Sequence, residues 1–141
     1  MRIPFIDQIV QLFRVETSAA ALLRRFENHH EALQHQFFQK ASAVGIPRGL
    51  RWVRCDWLPT RSLLRDRNSQ QVCLLAGVNI SFEAIEGGDM EHVTAVSLIR
   101  DASAVFQLTR QGWQTTGRAL FNMNPAEAAA KLAASYEPYP L

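Results

Sequence analysis

Eight side chains able to do chemistry share one parity of three alternating segments. They are Trp52, Arg54 and Asp56, then Asn79, Ser81 and Glu83, then His92 and Thr94. Alternation puts such residues on one face of a sheet. Proton transfer needs a carboxylate within hydrogen-bond reach of an imidazole, and Glu83 opposite His92 supplies that pairing. Asp56 adds a second carboxylate, while Trp52, Arg54, Asn79 and Ser81 offer contacts to a bound ligand. The competing reading is a solvent-facing sheet surface with ordinary cross-strand pairs.

The histidines invite a metal reading that their spacing does not support. A zincin helix carries histidines at i and i+4, whereas His30 and His35 are five apart. Glu27 and His30 form a Glu-x-x-His pair, but a di-iron bundle needs a second such pair and further glutamates. No metal or cofactor is expected. His30 falls on an apolar seam and is read as a packing residue, with His29 and His35 solvated.

Residues 48–70 hold Arg48, Arg51, Arg54, Arg61, Arg65 and Arg67 against Asp56 and Asp66, a local charge of +4. Residues 71–141 hold four cationic and seven anionic side chains, a local charge of −3. Arginines interleaved with Trp52 and Trp57 suit phosphate contact and base stacking. Yet the whole chain carries only +2, and no RNP, KH or zinc motif accompanies the cluster. Weak, salt-sensitive binding is the most this segment predicts. No P-loop, GxGxxG, GxSxG or EF-hand pattern occurs.

The elements that must position these residues follow from periodicity. Residues 4–15 read as a short helix. Thr17 or Ser18 is an N-cap for a longer helix over 18–44. Its seam is Ala19, Leu22, Phe26, His30, Leu33, Phe37, Ala41 and Val44, at steps of three and four. Gly45 and Pro47 stop it.

From residue 50 the period becomes two. Strands are expected at 50–58, 71–85, 90–99, 102–109 and 113–116, with turns at Gly87-Gly88, Arg100-Asp101 and Gln111-Gly112. Asn124-Pro125-Ala126-Glu127 announces a last helix, with Asn as N-cap, Pro at N1 and Glu completing a capping box.

The turns set expected registers. A two-residue loop at Gly87-Gly88 puts Val78, Ile80, Phe82 and Ala84 opposite Ser97, Ala95, Val93 and Glu91, with Ser81 opposite Thr94. Residues 59–70 are either a long loop or a β-arm turning at Arg67-Asn68. The second case puts Trp57, Cys55 and Val53 opposite Val78, Ile80 and Phe82. It puts Asp56, Arg54 and Trp52 opposite Asn79, Ser81 and Glu83. Cys55 and Cys73 then lie on opposite faces, roughly 24 Å apart at about 3.4 Å per residue. That is too far for a disulfide, and two reduced thiols are expected.

The chain of 141 residues reads as one α+β domain over 1–141. N-terminal helices precede an antiparallel meander of about five strands curved on the long helix, and a C-terminal helix follows. The layout resembles the NTF2-like and cystatin-like rolls, an analogy of arrangement that carries no function. Pro4, Asp7, Gln8 and Gln11 interrupt the N-terminal apolar stretch, so no secretory leader is read. No segment reads as a membrane span. A cytoplasmic protein with no membrane partner is expected.

The leading expectation is a small non-catalytic binding or protein-interaction domain. Its partner is an unknown protein or a second copy meeting it through a sheet face. The first alternative is a roll-type enzyme or small-molecule binder, with Asp56, Glu83 and His92 as candidate catalytic residues and Trp52, Arg54, Asn79 and Ser81 as ligand contacts. The second alternative is a weak nucleic-acid binder through residues 48–67.

Overall fold

A computed structural model of the chain describes residues 18–44, 49–87 and 99–140. In chain order the elements are helices α1 (Ala19–Asn28) and α2 (His30–Val44), strands β1 (Leu50–Asp66), β2 (Val72–Ala84), β3 (Ile99–Thr109), β4 (Gly112–Gln114) and β5 (Ala119–Phe121), helix α3 (Pro125–Lys131) and strand β6 (Tyr136–Pro138). The strands form one antiparallel sheet in the order β4-β3-β2-β1-β6, and β5 also pairs with β3. The expected α+β class, with helices before and after a run of strands, is what the chain adopts. The expected helix over 4–15, the stop at Gly45 and Pro47, and residues 90–98 of the expected third strand lie outside the described residues.

Ser18 caps α1, its hydroxyl accepting from Ala21 N–H at 3.2 Å. The single long helix expected over 18–44 is instead two helices that break at His29. The His29 N–H bonds three residues back, to the Phe26 carbonyl at 3.1 Å, and its Nδ1 sits 3.1 Å from the Arg25 carbonyl. A shortened turn of this kind bends a helix. The apolar seam survives the break, because Leu22, Phe26, Leu33, Phe37 and Ala41 are all buried.

The chain continues as a β-arm, the second of the two expected arrangements, but it turns over the four residues 67–70 rather than at Arg67-Asn68, so that Leu64 and Arg65 face Cys73 and Val72. Asp66 shapes the turn: its carboxylate accepts from the N–H groups of Asn68 and Ser69 at 2.8 and 3.0 Å, which hold its carboxyl below the ordinary value. Arg54, Cys55, Asp56 and Trp57 do face the expected Ser81, Ile80, Asn79 and Val78, because the irregularity between Trp57 and Arg61 takes up the two-residue difference. Irregularities flank this stretch. Val53 is an extra residue on β1, so Trp52 rather than Val53 meets Phe82. Trp52 is therefore buried and Val53 is 46% exposed, which corrects the placement of Trp52 on the polar face. The reason is burial energy. The bulge lets Trp52 join Trp57 and Cys55 on the core side, where its ring meets Phe82 at 5.2 Å and Phe37 at 6.2 Å.

The second irregularity sets Leu58, Pro59 and Thr60 against Gly77 alone. A Cβ at Gly77 would collide with the Thr60 hydroxyl, so a strand glycine marks the place where the neighbouring backbone swells.

The β2–β3 register also departs from expectation. Ser81 faces Ile99, not Thr94, and Val78 faces Ala102, not Ser97. Arg100 and Asp101 form no turn; they pair with Ile80 and Asn79 inside one continuous β3. Burying Ala102, Ala104 and Phe106 against β2 outweighs the turn propensity of the polar dipeptide. Val78, Ile80 and Phe82 are buried as expected, and Gly87 takes φ +78°. Gly88, His92 and Thr94 lie outside the described residues, so the loop and the Glu83–His92 pair are not placed.

Helices α1 and α2 cover one sheet face, where Phe26, Phe37 and Phe106 form the centre of the core with Leu22, Leu74, Val78 and Ile80. The other face is covered over Leu64, Cys73, Leu75 and Val105 by α3, through Ala128. The N-cap of α3 is the expected capping box: Asn124 Oδ1 accepts from Glu127 N–H at 2.8 Å, and Glu127 Oε1 accepts from Asn124 N–H at 3.1 Å. Asn124→Ala is expected to cost about 0.5–2 kcal/mol. An unchanged thermal melt would contradict the role given to this cap.

Candidate functional site

The uncovered part of the outer face carries the polar residues singled out above. Asp56, Asn79 and Asp101 make one row across three strands, and Arg54, Ser81 and Ile99 the next. Each candidate carboxylate is already engaged. Arg51 Nη1 donates to Glu83 Oε1 at 3.0 Å, and Arg54 Nε to Asp56 Oδ2 at 3.1 Å. All four of these side chains are more than half exposed. Solvated pairs of this kind contribute little to stability. Trp52 is absent from the face.

The arginine-rich segment is neutralised in the same manner. Besides Arg51 and Arg54, Arg61 binds Glu27 at 3.1 Å, and Arg65 and Arg67 share Glu137 at 2.7 and 3.5 Å. A phosphate would have to displace a carboxylate at each of these five positions. Arg48 lies outside the described residues.

Glu27 and His30 converge on a guanidinium. Arg61, only 12% exposed, donates to Glu27 and to the carbonyls of Leu58 (2.6 Å) and Thr60 (2.9 Å). Its Nη2 lies 3.3 Å from His30 Nε2, and its guanidinium sits 5.2 Å from the centre of the Phe26 ring. The bulge at 58–60 thereby turns Arg61 inward and ties β1 to the helix break. His30 packs among Phe26 and Trp57 as expected.

A groove that sequence reasoning missed lies between the helices and β4. It has a volume of about 540 Å³. One wall is the helical stripe Arg25, His29, Ala32, Gln36 and Lys40, at steps of three and four, and the other is the backbone and side chains of 111–114. Leu33 and Trp113 form its floor, with the indole N–H donating to the Leu22 carbonyl at 3.0 Å. Its far end is closed where Lys40 Nζ donates to the Thr115 carbonyl at 3.1 Å. No carboxylate lines it, and neither Arg25 nor Lys40 has an ion-pair partner among the described residues. The sequence signal was present. The stripe runs alongside the apolar seam, where a solvated helix face would ordinarily carry both signs of charge.

Both cysteines are free and lie on opposite sheet faces. Burial, with the nearby Asp56 charge, pushes the Cys55 thiol from 9.0 up to about 12. Burial and Asp66 push Cys73 up to about 11, against the pull of Arg118. Neither is a nucleophile at neutral pH. Iodoacetamide at pH 8 is expected to leave both unmodified in the native protein and to alkylate both in urea, read by intact mass. The unfolded chain releases these protons first as pH rises past about 9, so stability falls between about pH 9 and 12. Rapid native alkylation of either thiol would contradict the burial.

Among the described residues no helix is long and apolar enough to cross a membrane. Comparison of the chain with protein-family models, curated proteins and solved structures finds no match.

Proposed function

We propose that the chain is a small, non-catalytic protein-interaction domain whose recognition surface is the groove between the α1–α2 stripe and β4. The observation that carries this reading is the contrast in how charge is used. Arg51, Arg54, Arg61, Arg65 and Arg67 are all spent on internal carboxylates. Arg25 and Lys40 instead flank a concave, carboxylate-free surface. A concavity whose cations face no carboxylate, above an apolar floor, is the ordinary form of a binding site. No serine, threonine, cysteine or carboxylate lines it. The polar sheet face supports the enzymatic alternative less well, because Asp56 and Glu83 are exposed and ion-paired. Two free thiols, Cys73 buried and Cys55 half-buried, suit a reducing compartment such as the cytoplasm.

Affinity capture from an extract of the source cells tests the assignment. Partners recovered by the wild-type chain are expected to be lost with R25E–K40E and retained with D56N–E83Q. Loss with D56N–E83Q and retention with R25E–K40E would move recognition to the sheet face.

A further inference from the structure

The geometry points to an extended acidic peptide segment of a partner protein as the groove's occupant, laid along β4 as an added strand. This rests on the reading of the groove as the recognition surface and names the chemistry that the surface takes.

Length is the first argument. Arg25 and Lys40 stand fifteen positions apart across α1 and α2, at most about 22 Å at 1.5 Å per residue, since the break at His29 shortens the span. A compact anion cannot reach both ends, whereas an extended chain of about six or seven residues spans that distance at 3.3 Å each.

The strand wall is the second argument. β4 is the last strand of the sheet on its side, and no described strand lies beyond it. Thr109 and Gly112 are paired across a two-residue loop, and Leu108 with Trp113. Antiparallel alternation makes the first a mutually hydrogen-bonded pair and the second not. The Trp113 N–H and C=O therefore point away from β3, toward the open edge. Strand addition at such an edge, beside a helix that reads side chains, is an established mode of peptide recognition. The long outer edge of β1 is a poorer template. Its Val53 bulge, Pro59 and ion-paired arginines are devices that discourage strand pairing.

Charge and polarity are the third argument. The lining presents Arg25 and Lys40, the imidazole of His29, and no carboxylate. The partner side chains that this field favours are Asp and Glu. Gln36, Gln111 and Gln114 each offer a donor and an acceptor suited to peptide groups. A basic segment is repelled.

The test is an NMR titration of the ¹⁵N-labelled full chain with three capped octapeptides and with inorganic phosphate. One peptide alternates glutamate and valine, one alternates lysine and valine, and one is the acidic peptide with its two central valines replaced by proline. The acidic peptide is expected to shift the amides of 111–115 and of the α1–α2 stripe. The lysine and proline peptides are expected to leave them in place. R25Q–K40Q should weaken acidic-peptide binding by roughly three- to tenfold, with the dispersed spectrum showing that the fold is kept. Equal binding of the proline peptide would overturn strand addition. Saturable shifts with phosphate and none with any peptide would make the groove a small-anion site, which overturns this inference and leaves the groove as a recognition surface. Groove shifts that depend only on protein concentration would make a second copy the occupant and overturn it as well. The inference alone falls if the R25E–K40E capture result holds and no acidic peptide binds.

Discussion

Phe26→Ala is expected to destabilise the protein by about 3–5 kcal/mol, the cost of removing a buried phenyl ring from a packed core. Phe26 is fully buried where three structural features meet. Its ring stands edge-on to Phe106 at 4.9 Å and to Trp113 at 6.2 Å, and the Arg61 guanidinium lies over it at 5.2 Å. Truncation leaves a cavity, removes the aromatic face under Arg61, and loosens Trp113, the floor of the groove. Phe26→Leu keeps most of the volume and should cost less than half as much. Urea denaturation measures both variants. A cost below about 1 kcal/mol for Phe26→Ala would show that this junction does not hold the helices to the sheet.

Gly117→Ala is expected to cost about 2–5 kcal/mol, combining a left-handed backbone penalty with an overpacking penalty. Gly117 has φ +87°, and a Cβ there would lie 2.5 Å from the Ala41 nitrogen and 2.8 Å from the Lys40 carbonyl carbon. Those atoms belong to the backbone of α2 and cannot swing aside. The segment must lift from the helix, which also strains the Lys40–Thr115 contact that closes the groove. Gly87→Ala is the control. Its φ is +78°, yet a Cβ meets nothing within 4 Å, so only the conformational cost of about 1–2 kcal/mol applies. Equal losses at the two positions would mean that the close approach at Gly117 is not tight.

Much of the architecture was legible because it rests on local signals. The seam from Ala19 to Ala41, the alternation through Val78, Ile80 and Phe82, and the capping box at Asn124 each act within a few residues, and each is found where expected. What escaped depends on neighbours far along the chain. Val53 and Trp52 cannot be assigned to faces without knowing that β1 bulges to bury an indole. Arg100-Asp101 looks like a turn until Ala102 and Phe106 are seen to pair with β2. Strands β5 and β6 are three residues each, too short for a period to show. Gly77 opposite Pro59 was the one readable hint of irregularity.

The candidate site followed the same pattern. Parity brought Arg54, Asp56, Asn79, Ser81 and Glu83 together on one face, but parity is silent on which charges are already paired. The groove required knowing that 111–114 return beside the helices. Its cationic residues are fifteen positions apart in one wall and roughly seventy to ninety from the other, a juxtaposition that no short motif records.

Photo-crosslinking decides between the groove and the polar sheet face as the recognition surface. Gln36, in the groove, and Ser81, on the polar sheet face, are each replaced by p-benzoylphenylalanine and irradiated in an extract of the source cells. An adduct to a partner protein is expected from position 36, suppressed by R25E–K40E, and none from position 81. A partner adduct from position 81 with none from position 36 would contradict recognition by the groove.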